Sequence, residues 1–322
     1  MNEHYRPITS LERRIRDAES DLFAAVGAEV EERFLDLART SVRVRVLSHG
    51  SGPPLVLLHG VSLSAAVWAP LFAELQGFRL LAVDLPGHGL SDPVRYRRGR
   101  VREHAYRLID DLLDALGLDH VPVVGHSLGG MFALWHAAAG GDRMSALIAV
   151  GVPAVALPGV RVRMPLSPLT VRGLAVAILR SPSPRSIYRR SLAQGLGRAE
   201  VKTAPDSLIE ALRVSSRRPE NARTVASLMH AIDRFRRPRT ESVLTDAELT
   251  AIRAPSLFIL GSHDPYLSPQ HAQRSTDRIP GATVHEMPAS HGPWLVDPLR
   301  VAGLIAAHTQ LTADQGDPTA VR

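Results

Sequence analysis

A serine flanked by glycines lies between a short apolar run and a helical segment. The string GHSLGG occupies residues 125–130 and directly follows the apolar run 121–124. Such a string occurs by chance in many chains, but its place between a buried strand and a helix is typical of a sharp turn that exposes the serine hydroxyl. Small neighbours are needed because the strand and helix backbones approach each other closely there. The pattern therefore predicts Ser127 as a nucleophile.

A serine hydroxyl becomes nucleophilic when a base takes its proton and an acid orients that base, so a histidine and an acid should follow. His291 stands in SHGPW, just after the predicted last strand at 282–287, and Asp264 stands in GSHDP, just after the apolar run 257–260. Both are expected at the carboxyl ends of strands, the edge where sites form in open α/β sheets. The order serine, aspartate, histidine is one in which such triads occur. We expect His291 to be the general base and acid, and Asp264 to orient it.

The elements that must position these residues are short apolar runs alternating with helical segments. The runs lack period-two alternation, as expected of parallel strands covered on both faces, and occupy residues 55–58, 80–83, 121–124, 146–150 and 257–260. The alternation predicts an α/β fold with a mostly parallel sheet and helices on both faces. Between about 153 and 245 the strand pattern stops. Candidate helices punctuated by proline predict an α-helical insertion there, with helices near 205–216 and 219–237.

The N-terminal region has a separate pattern. Residues 9–12 have the form of a capping box, and apolar residues follow at helical spacing as far as Val26. We expect a helix outside the core, ended by Gly27. Residues 30–38 and then 42–46 predict a β-hairpin.

Five motifs together resemble the α/β-hydrolase-fold family in its serine-hydrolase, esterase-like form with a helical cap. The resemblance spans residues 54 to about 308, and the motifs are HG at 59–60, DLPGHGLSD at 84–92, GHSLGG at 125–130, GSHD at 261–264 and HGPW at 291–294. It implies an α/β-hydrolase sheet and an oxyanion hole formed by the backbone amides of Val61 and Leu128. It also implies that the helical insertion is a cap.

These patterns divide the chain into four parts. We expect an N-terminal helical extension at 1–29, a core at 30–152 and 246–311, a helical cap at 153–245 and a flexible tail at 312–322.

Several residues near the predicted triad are secondary candidates. His263 and Tyr266 flank Asp264, and they are expected to line the substrate pocket together with Trp294, for which packing is the alternative role. The histidines at 59 and 88 are expected to bond the backbone, and the His126 side chain is expected to point away from the reacting centre.

Composition excludes several kinds of chemistry. The chain has no cysteine, which excludes disulfides, thiolate metal sites and cysteine nucleophiles. No histidine–carboxylate grouping has the spacing of metal ligands, and no glycine-rich phosphate loop is present, so we expect no metal and no cofactor. No secretory signal and no apolar run of membrane-spanning length is readable, so we expect a cytoplasmic protein without a transmembrane segment.

Charge is unevenly distributed along the chain. Residues 155–240 hold 17 basic residues against five acidic ones, a net charge of +12, while the whole chain carries +6. This basic segment suggests an anionic partner, such as an acidic substrate, a carrier-bound acyl group or a membrane surface; a merely solvated surface is the alternative. The arginines are not interleaved with aromatic residues and no recognition motif accompanies them, so we expect no nucleic acid partner.

The expected function is that of a serine hydrolase acting by covalent acyl transfer, with a small carboxylic ester as the default substrate. The same triad leaves thioesterase, lactonase, carbon–carbon bond hydrolase, haloperoxidase-like perhydrolase and hydroxynitrile lyase activities open. Haloalkane dehalogenases and epoxide hydrolases place an aspartate where this chain has Ser127. A non-catalytic small-molecule-binding protein on the same fold is the alternative of another class.

Overall fold

A mostly parallel sheet of eight strands organises the protein. The computed structural model describes residues 8–163, 165–171, 173–181, 183–234 and 237–316. The order of strands in the main sheet is β1-β2-β4-β3-β5-β6-β9-β10, and β7 and β8 form a separate hairpin. The strands are β1 (Glu31–Leu37), β2 (Val42–His49), β3 (Pro54–Leu58), β4 (Arg79–Val83), β5 (Pro122–His126), β6 (Ala146–Val150), β7 (Asp233–Arg234), β8 (Arg237–Pro238), β9 (Ser256–Gly261) and β10 (Thr283–Met287).

Helices cover the sheet and fill the long interval between β6 and β9. Within the described residues they are α1 (Ser10–Ala25), α2 (Ala69–Phe72), α3 (Val101–Leu116), α4 (Leu128–Ala138), α5 (Leu174–Arg180), α6 (Arg185–Gly195), α7 (Arg198–Thr203), α8 (Asp206–Ser215), α9 (Pro219–Ile232), α10 (Asp246–Ala251), α11 (Pro269–Thr276), α12 (Pro293–Val296) and α13 (Pro298–Gly316). In this part of the chain no helix has both the length and the apolar composition that crossing a membrane would require.

The sheet confirms the predicted fold class. Only β1 with β2 and β2 with β4 pair antiparallel among the main strands, and every pair from β4 to β10 is parallel. The central strands are buried along almost their whole length, as their continuous apolar runs predicted. The carboxyl ends of β5 and β9 therefore lie at the same edge of the sheet.

Two predicted element boundaries differ from the structure. The helix predicted at 219–237 ends at Ile232, because Asp233 takes an extended backbone and pairs with Pro238. At the C-terminus, α13 continues to Gly316, beyond the point at which a flexible tail was predicted to start. Residues 317–322 of that predicted tail, like residues 1–7 of the N-terminal extension, lie outside the described residues.

The opening helix forms as its capping box predicts, but it packs on the core. The Thr9 hydroxyl accepts a hydrogen bond from the Glu12 amide, and the Glu12 carboxylate accepts one from the Thr9 amide. Ile15 and Leu22 are fully buried, and Ile15 packs in one apolar cluster with Val214 of α8. The helix α1 thus joins the sheet to the inserted helices and does not stand apart from them.

A buried arginine holds α1 to the sheet. Arg45 of β2 is completely buried and donates two hydrogen bonds to the Glu19 carboxylate of α1, at 2.7 and 2.8 Å. Its Nε donates to Asp84 Oδ2 at 2.7 Å. Burial alone would raise the pKa of Asp84, but the positive charge of Arg45 and the hydrogen bonds that Asp84 accepts from backbone amides together keep that pKa below its ordinary value. Asp84 also accepts hydrogen bonds from the amides of Ala65 and Leu90, so the network fixes the loop after β4.

We expect Arg45→Met to lower the free energy of unfolding by about 3–5 kcal/mol, because it leaves two carboxylates buried without their counter-charge. Urea denaturation followed by circular dichroism measures this loss. The matched control is Arg43→Met, two residues earlier on the same strand, whose side chain is 52% exposed. The control should cost less than about 1 kcal/mol. Equal, small losses in the two variants would contradict the role assigned to the network.

Candidate active site

Ser127 lies on a strained turn between β5 and α4. Its backbone has φ 48° and ψ −103°, a conformation that is costly for any residue with a side chain. The glycines at 125 and 129 permit it, since a Cβ on Gly125 would collide with the Gly130 amide and one on Gly129 with the Leu58 carbonyl. The turn places Ser127 at the carboxyl edge of the sheet, as predicted.

The structure brings together the predicted base and acid. His291 Nδ1 lies 2.7 Å from Asp264 Oδ2. The same Asp264 oxygen accepts a hydrogen bond from the Val152 amide at 3.2 Å, and Asp264 Oδ1 accepts one from the Tyr266 amide at 3.0 Å. A proton on Nδ1 leaves Nε2 as the basic nitrogen of His291. Ser127 and His291 line the same cavity, so a base, an orienting acid and a hydroxyl converge there.

The side chain of His126 packs against the catalytic candidates, and the expectation that it points away from them is wrong. Its ring lies 4.7 Å from the ring of His291 and 4.6 Å from that of Trp294. Burial, with His291 beside it, keeps the pKa of His126 well below its ordinary value, so the ring is neutral at pH 7. Its Nε2 then donates to the His291 carbonyl oxygen, at 3.1 Å. His126 therefore helps to position the backbone of His291.

The two loop histidines bond the backbone, as predicted. His59 Nδ1 donates to the Gly60 carbonyl at 2.7 Å, and its Nε2 accepts a hydrogen bond from the Leu85 amide at 3.0 Å. His88 bonds the Pro86 carbonyl, and burial lowers the pKa of His88 to about 3. These contacts tie together the loops that follow β3 and β4.

Val61 and Leu128, the residues whose backbone amides are predicted to form an oxyanion hole, line the same pocket as Ser127. This pocket is small and apolar, with a volume of about 30 Å³. Neither amide has a hydrogen-bond acceptor among the residues that the structure describes. Both amides are therefore free to donate to a bound group in this pocket.

A cavity of about 510 Å³ opens from Ser127 toward the inserted helices. Among the described residues 25 line it, of which eleven are aliphatic and six are serines, and two arginines of the inserted segment, Arg213 and Arg217, also line it. The aliphatic lining consists of Val61, Leu63, Pro165, Leu166, Pro168, Leu169, Ile178, Leu179, Ile187, Leu192 and Leu196. The cavity is large enough for a small organic substrate with an apolar body.

Of the three predicted substrate contacts, the structure brings one to this cavity. The Tyr266 ring lines it and meets the His291 ring edge-on at 4.5 Å. Trp294 is fully buried, and its indole N–H donates to the Val67 carbonyl, so it packs behind the site. His263 is exposed and bonds the Ser262 hydroxyl. The structure does not support a substrate contact for Trp294 or His263.

Two contacts that the sequence did not predict connect the inserted segment to the loop that carries His291. The carboxylate of Glu200 in α7 accepts a hydrogen bond from the Ser290 amide, and Glu200 is almost completely buried. The Leu196 carbonyl accepts one from the His291 amide at 2.9 Å. Glu200 is the one acidic residue among nine basic residues at 155–204, and this isolation is a signal that could have identified it.

The described residues include no group of three or more histidine, aspartate or glutamate side chains that could hold a metal ion.

Comparison with known proteins places the chain in a family. The family model for the α/β-hydrolase fold matches residues 53–298, so the chain belongs to the α/β-hydrolase family. A pimeloyl-[acyl-carrier protein] methyl ester esterase of Shewanella woodyi is 28% identical over 267 residues, which cover 79% of this chain and 93% of the esterase.

Relatives with other activities match over a similar share of the chain. A 2-hydroxy-6-oxononadienedioate/2-hydroxy-6-oxononatrienedioate hydrolase of Cupriavidus pinatubonensis is 29% identical over 258 residues, covering 76% of this chain and 83% of the relative. Among solved structures, carboxylesterase CesB (YbfK) from Bacillus subtilis has a TM-score of 0.74 at 20% identity, covering 93% of this chain and 98% of that one. The chain is thus similar both to a methyl ester esterase and to a hydrolase of a different substrate.

The strain at Ser127 predicts that glycine at this position is more stabilising than alanine. Ser127→Gly and Ser127→Ala both remove the hydroxyl, but only glycine relieves the positive φ, so the glycine variant should be the more stable by about 1–2 kcal/mol. Urea denaturation of the two variants measures the difference. At Ser20, an exposed position in the interior of helix α1, the same pair should show the opposite order, with alanine favoured by about 1 kcal/mol. An alanine variant at 127 as stable as the glycine variant would contradict the strained turn.

Proposed function

We propose that this protein is a serine hydrolase that cleaves a small carboxylic ester by covalent acyl transfer. The observation that carries the proposal is the His291–Asp264 pair on the cavity that also exposes the strained Ser127. A non-catalytic binding protein would have no use for a strained nucleophile beside an oriented imidazole.

The proposed reaction proceeds in two steps. Ser127 Oγ attacks the ester carbonyl carbon while His291 Nε2 takes the hydroxyl proton, and Asp264 stabilises the imidazolium that forms. The tetrahedral intermediate collapses, His291 returns the proton to the leaving alcohol, and the acyl group stays on Ser127. Water, deprotonated by His291, then attacks the acyl-enzyme, and the bond between the acyl carbon and Ser127 Oγ breaks while His291 returns the proton to Oγ, which releases the carboxylic acid and restores the serine.

The amides of Val61 and Leu128 are proposed to hold the negatively charged oxygen of each tetrahedral intermediate. Each such donor contributes about 3 kcal/mol to stabilising a transition state of this type. The apolar pocket beside them is of a size for a group no larger than about a methyl group. The larger cavity would hold the longer part of the substrate.

We propose that the inserted segment at 153–245 acts as the cap that selects the substrate. This segment supplies 18 of the 25 described residues that line the 510 Å³ cavity, and Glu200 and Leu196 hold the loop that carries His291. Substrate fit and the position of the base would thus be set by the same segment.

Carbon–carbon bond hydrolysis is the second candidate, because a hydrolase of that kind matches 76% of this chain. A panel that combines carboxylic esters, thioesters, lactones and vinylogous 1,5-diketones separates the candidates. We expect the highest kcat/KM on a carboxylic ester.

On the best substrate of that panel, Asp264→Asn should lower kcat by about four orders of magnitude, because the amide favours the wrong imidazole tautomer. KM should change little, since Asp264 is behind the histidine. Steady-state kinetics measures both constants, and circular dichroism verifies the fold. The control is Asp142→Asn, at an exposed position, which should leave kcat unchanged. A loss of less than tenfold in a folded Asp264→Asn variant would assign the acid to another residue.

A further inference from the structure

Exposed apolar side chains are concentrated on the inserted segment. Seven large apolar residues of the described chain are exposed, and the three outside the insertion are scattered along the N-terminal region and α13. The other four form what is here named the mouth patch: Val171, Leu174, Ile178 and Ile187, which are 38%, 47%, 42% and 59% exposed. Solvent-exposed apolar residues grouped in this way mark an interaction surface.

Two of the four residues of the mouth patch also line the cavity that contains Ser127. Ile178 and Ile187 line this cavity as well as facing solvent. Leu174 and Ile178 are one turn apart on α5 and therefore share a face of the helix. A surface that binds this patch would also cover the entrance to the site.

Three unpaired arginines belong to the same inserted segment, at or next to residues that line the cavity. Arg180, Arg190 and Arg217, here named the rim arginines, are exposed and make no ion pair with the described residues. Arg217 lines the cavity itself, while Arg180 and Arg190 adjoin lining residues in the chain. Asp206 pairs with Arg185 and Arg189, and Glu210 pairs with Arg213, whereas the rim arginines keep an unbalanced positive charge among the described residues.

The combination of apolar side chains with a cationic rim matches an anionic lipid surface. Apolar groups enter the boundary between headgroups and acyl chains, while arginines contact lipid phosphates. A two-fold contact with a second copy would instead place the rim arginines of both copies against one another. We propose that the mouth patch and the rim arginines dock this protein on an anionic lipid bilayer, with the mouth of the cavity facing the lipid.

Sedimentation with lipid vesicles tests the proposal on the full chain. Vesicles of phosphatidylcholine alone are compared with vesicles that contain about 30% phosphatidylglycerol. The protein should bind the anionic vesicles at least about tenfold more tightly, and raising the salt to about 0.5 M should weaken this binding, because the Debye length falls to about 4 Å. No measurable binding to the anionic vesicles would overturn the proposal.

Two double variants separate the apolar and the charged parts of the surface. Ile178→Ser with Ile187→Ser should weaken vesicle binding by about tenfold or more, since their apolar side chains no longer enter the bilayer. Arg180→Gln with Arg190→Gln should weaken it by about tenfold and reduce its salt dependence. The matched control, Leu299→Ser with Arg300→Gln, alters an exposed pair at the start of α13 and should bind as the wild type does.

Binding by the two double variants equal to that of the control would overturn the proposal. So would a wild-type dimer, measured by analytical ultracentrifugation, that the isoleucine substitutions dissociate, because a second copy would then occupy the patch. Thermal melts verify that each variant is folded. If the variant Ile178→Ser with Ile187→Ser does not fold, the vesicle binding of the variant Arg180→Gln with Arg190→Gln still decides the result.

Discussion

The close approach of three backbones around Ser127 is the constraint on which the rest of the structure depends. The carboxyl end of β3, the end of β5 and the start of α4 meet where glycines at 125 and 129 leave no room for a Cβ. This contact forces Ser127 into a positive φ, in a pocket that Val61 and Leu128 also line. The fold thus holds a costly conformation at one residue, and the buried parallel sheet supplies the stability that this requires.

The imidazole is held from two sides. From the core, Asp264 accepts a hydrogen bond from His291 Nδ1, and His126 donates one to the His291 carbonyl oxygen. From the inserted segment, the Leu196 carbonyl accepts a hydrogen bond from the His291 amide. Glu200, also in the inserted segment, accepts a hydrogen bond from the amide of Ser290, the residue before His291. Because the insertion also forms the walls of the cavity and the mouth patch, a movement of its helices would alter the position of the base and the entrance together.

Sequence reasoning could predict those features that depend on local patterns. The buried strands follow from their continuous apolar runs, the helix α1 from its capping box, and the placement of Ser127, Asp264 and His291 from turns at the carboxyl ends of parallel strands. It could not predict features that depend on contacts between distant segments, such as the burial of Arg45 against Glu19 or the packing of α1 on α8. The wrong expectation for His126 has the same origin, because its ring contacts are with His291 and with Trp294 of α12, which are distant in the sequence.

The central claim is that Ser127 forms a covalent bond with the substrate, and labelling with a fluorophosphonate tests it most directly. Such a probe reacts with a serine that an adjacent base activates. Intact mass spectrometry should show one adduct per protein molecule, and peptide mapping should place it on the peptide that contains residue 127. Ser127→Ala should abolish the adduct, while Ser186→Ala, at an exposed helical position, should not. An adduct that persists in Ser127→Ala, or a folded wild-type protein that takes up none, would contradict the claim.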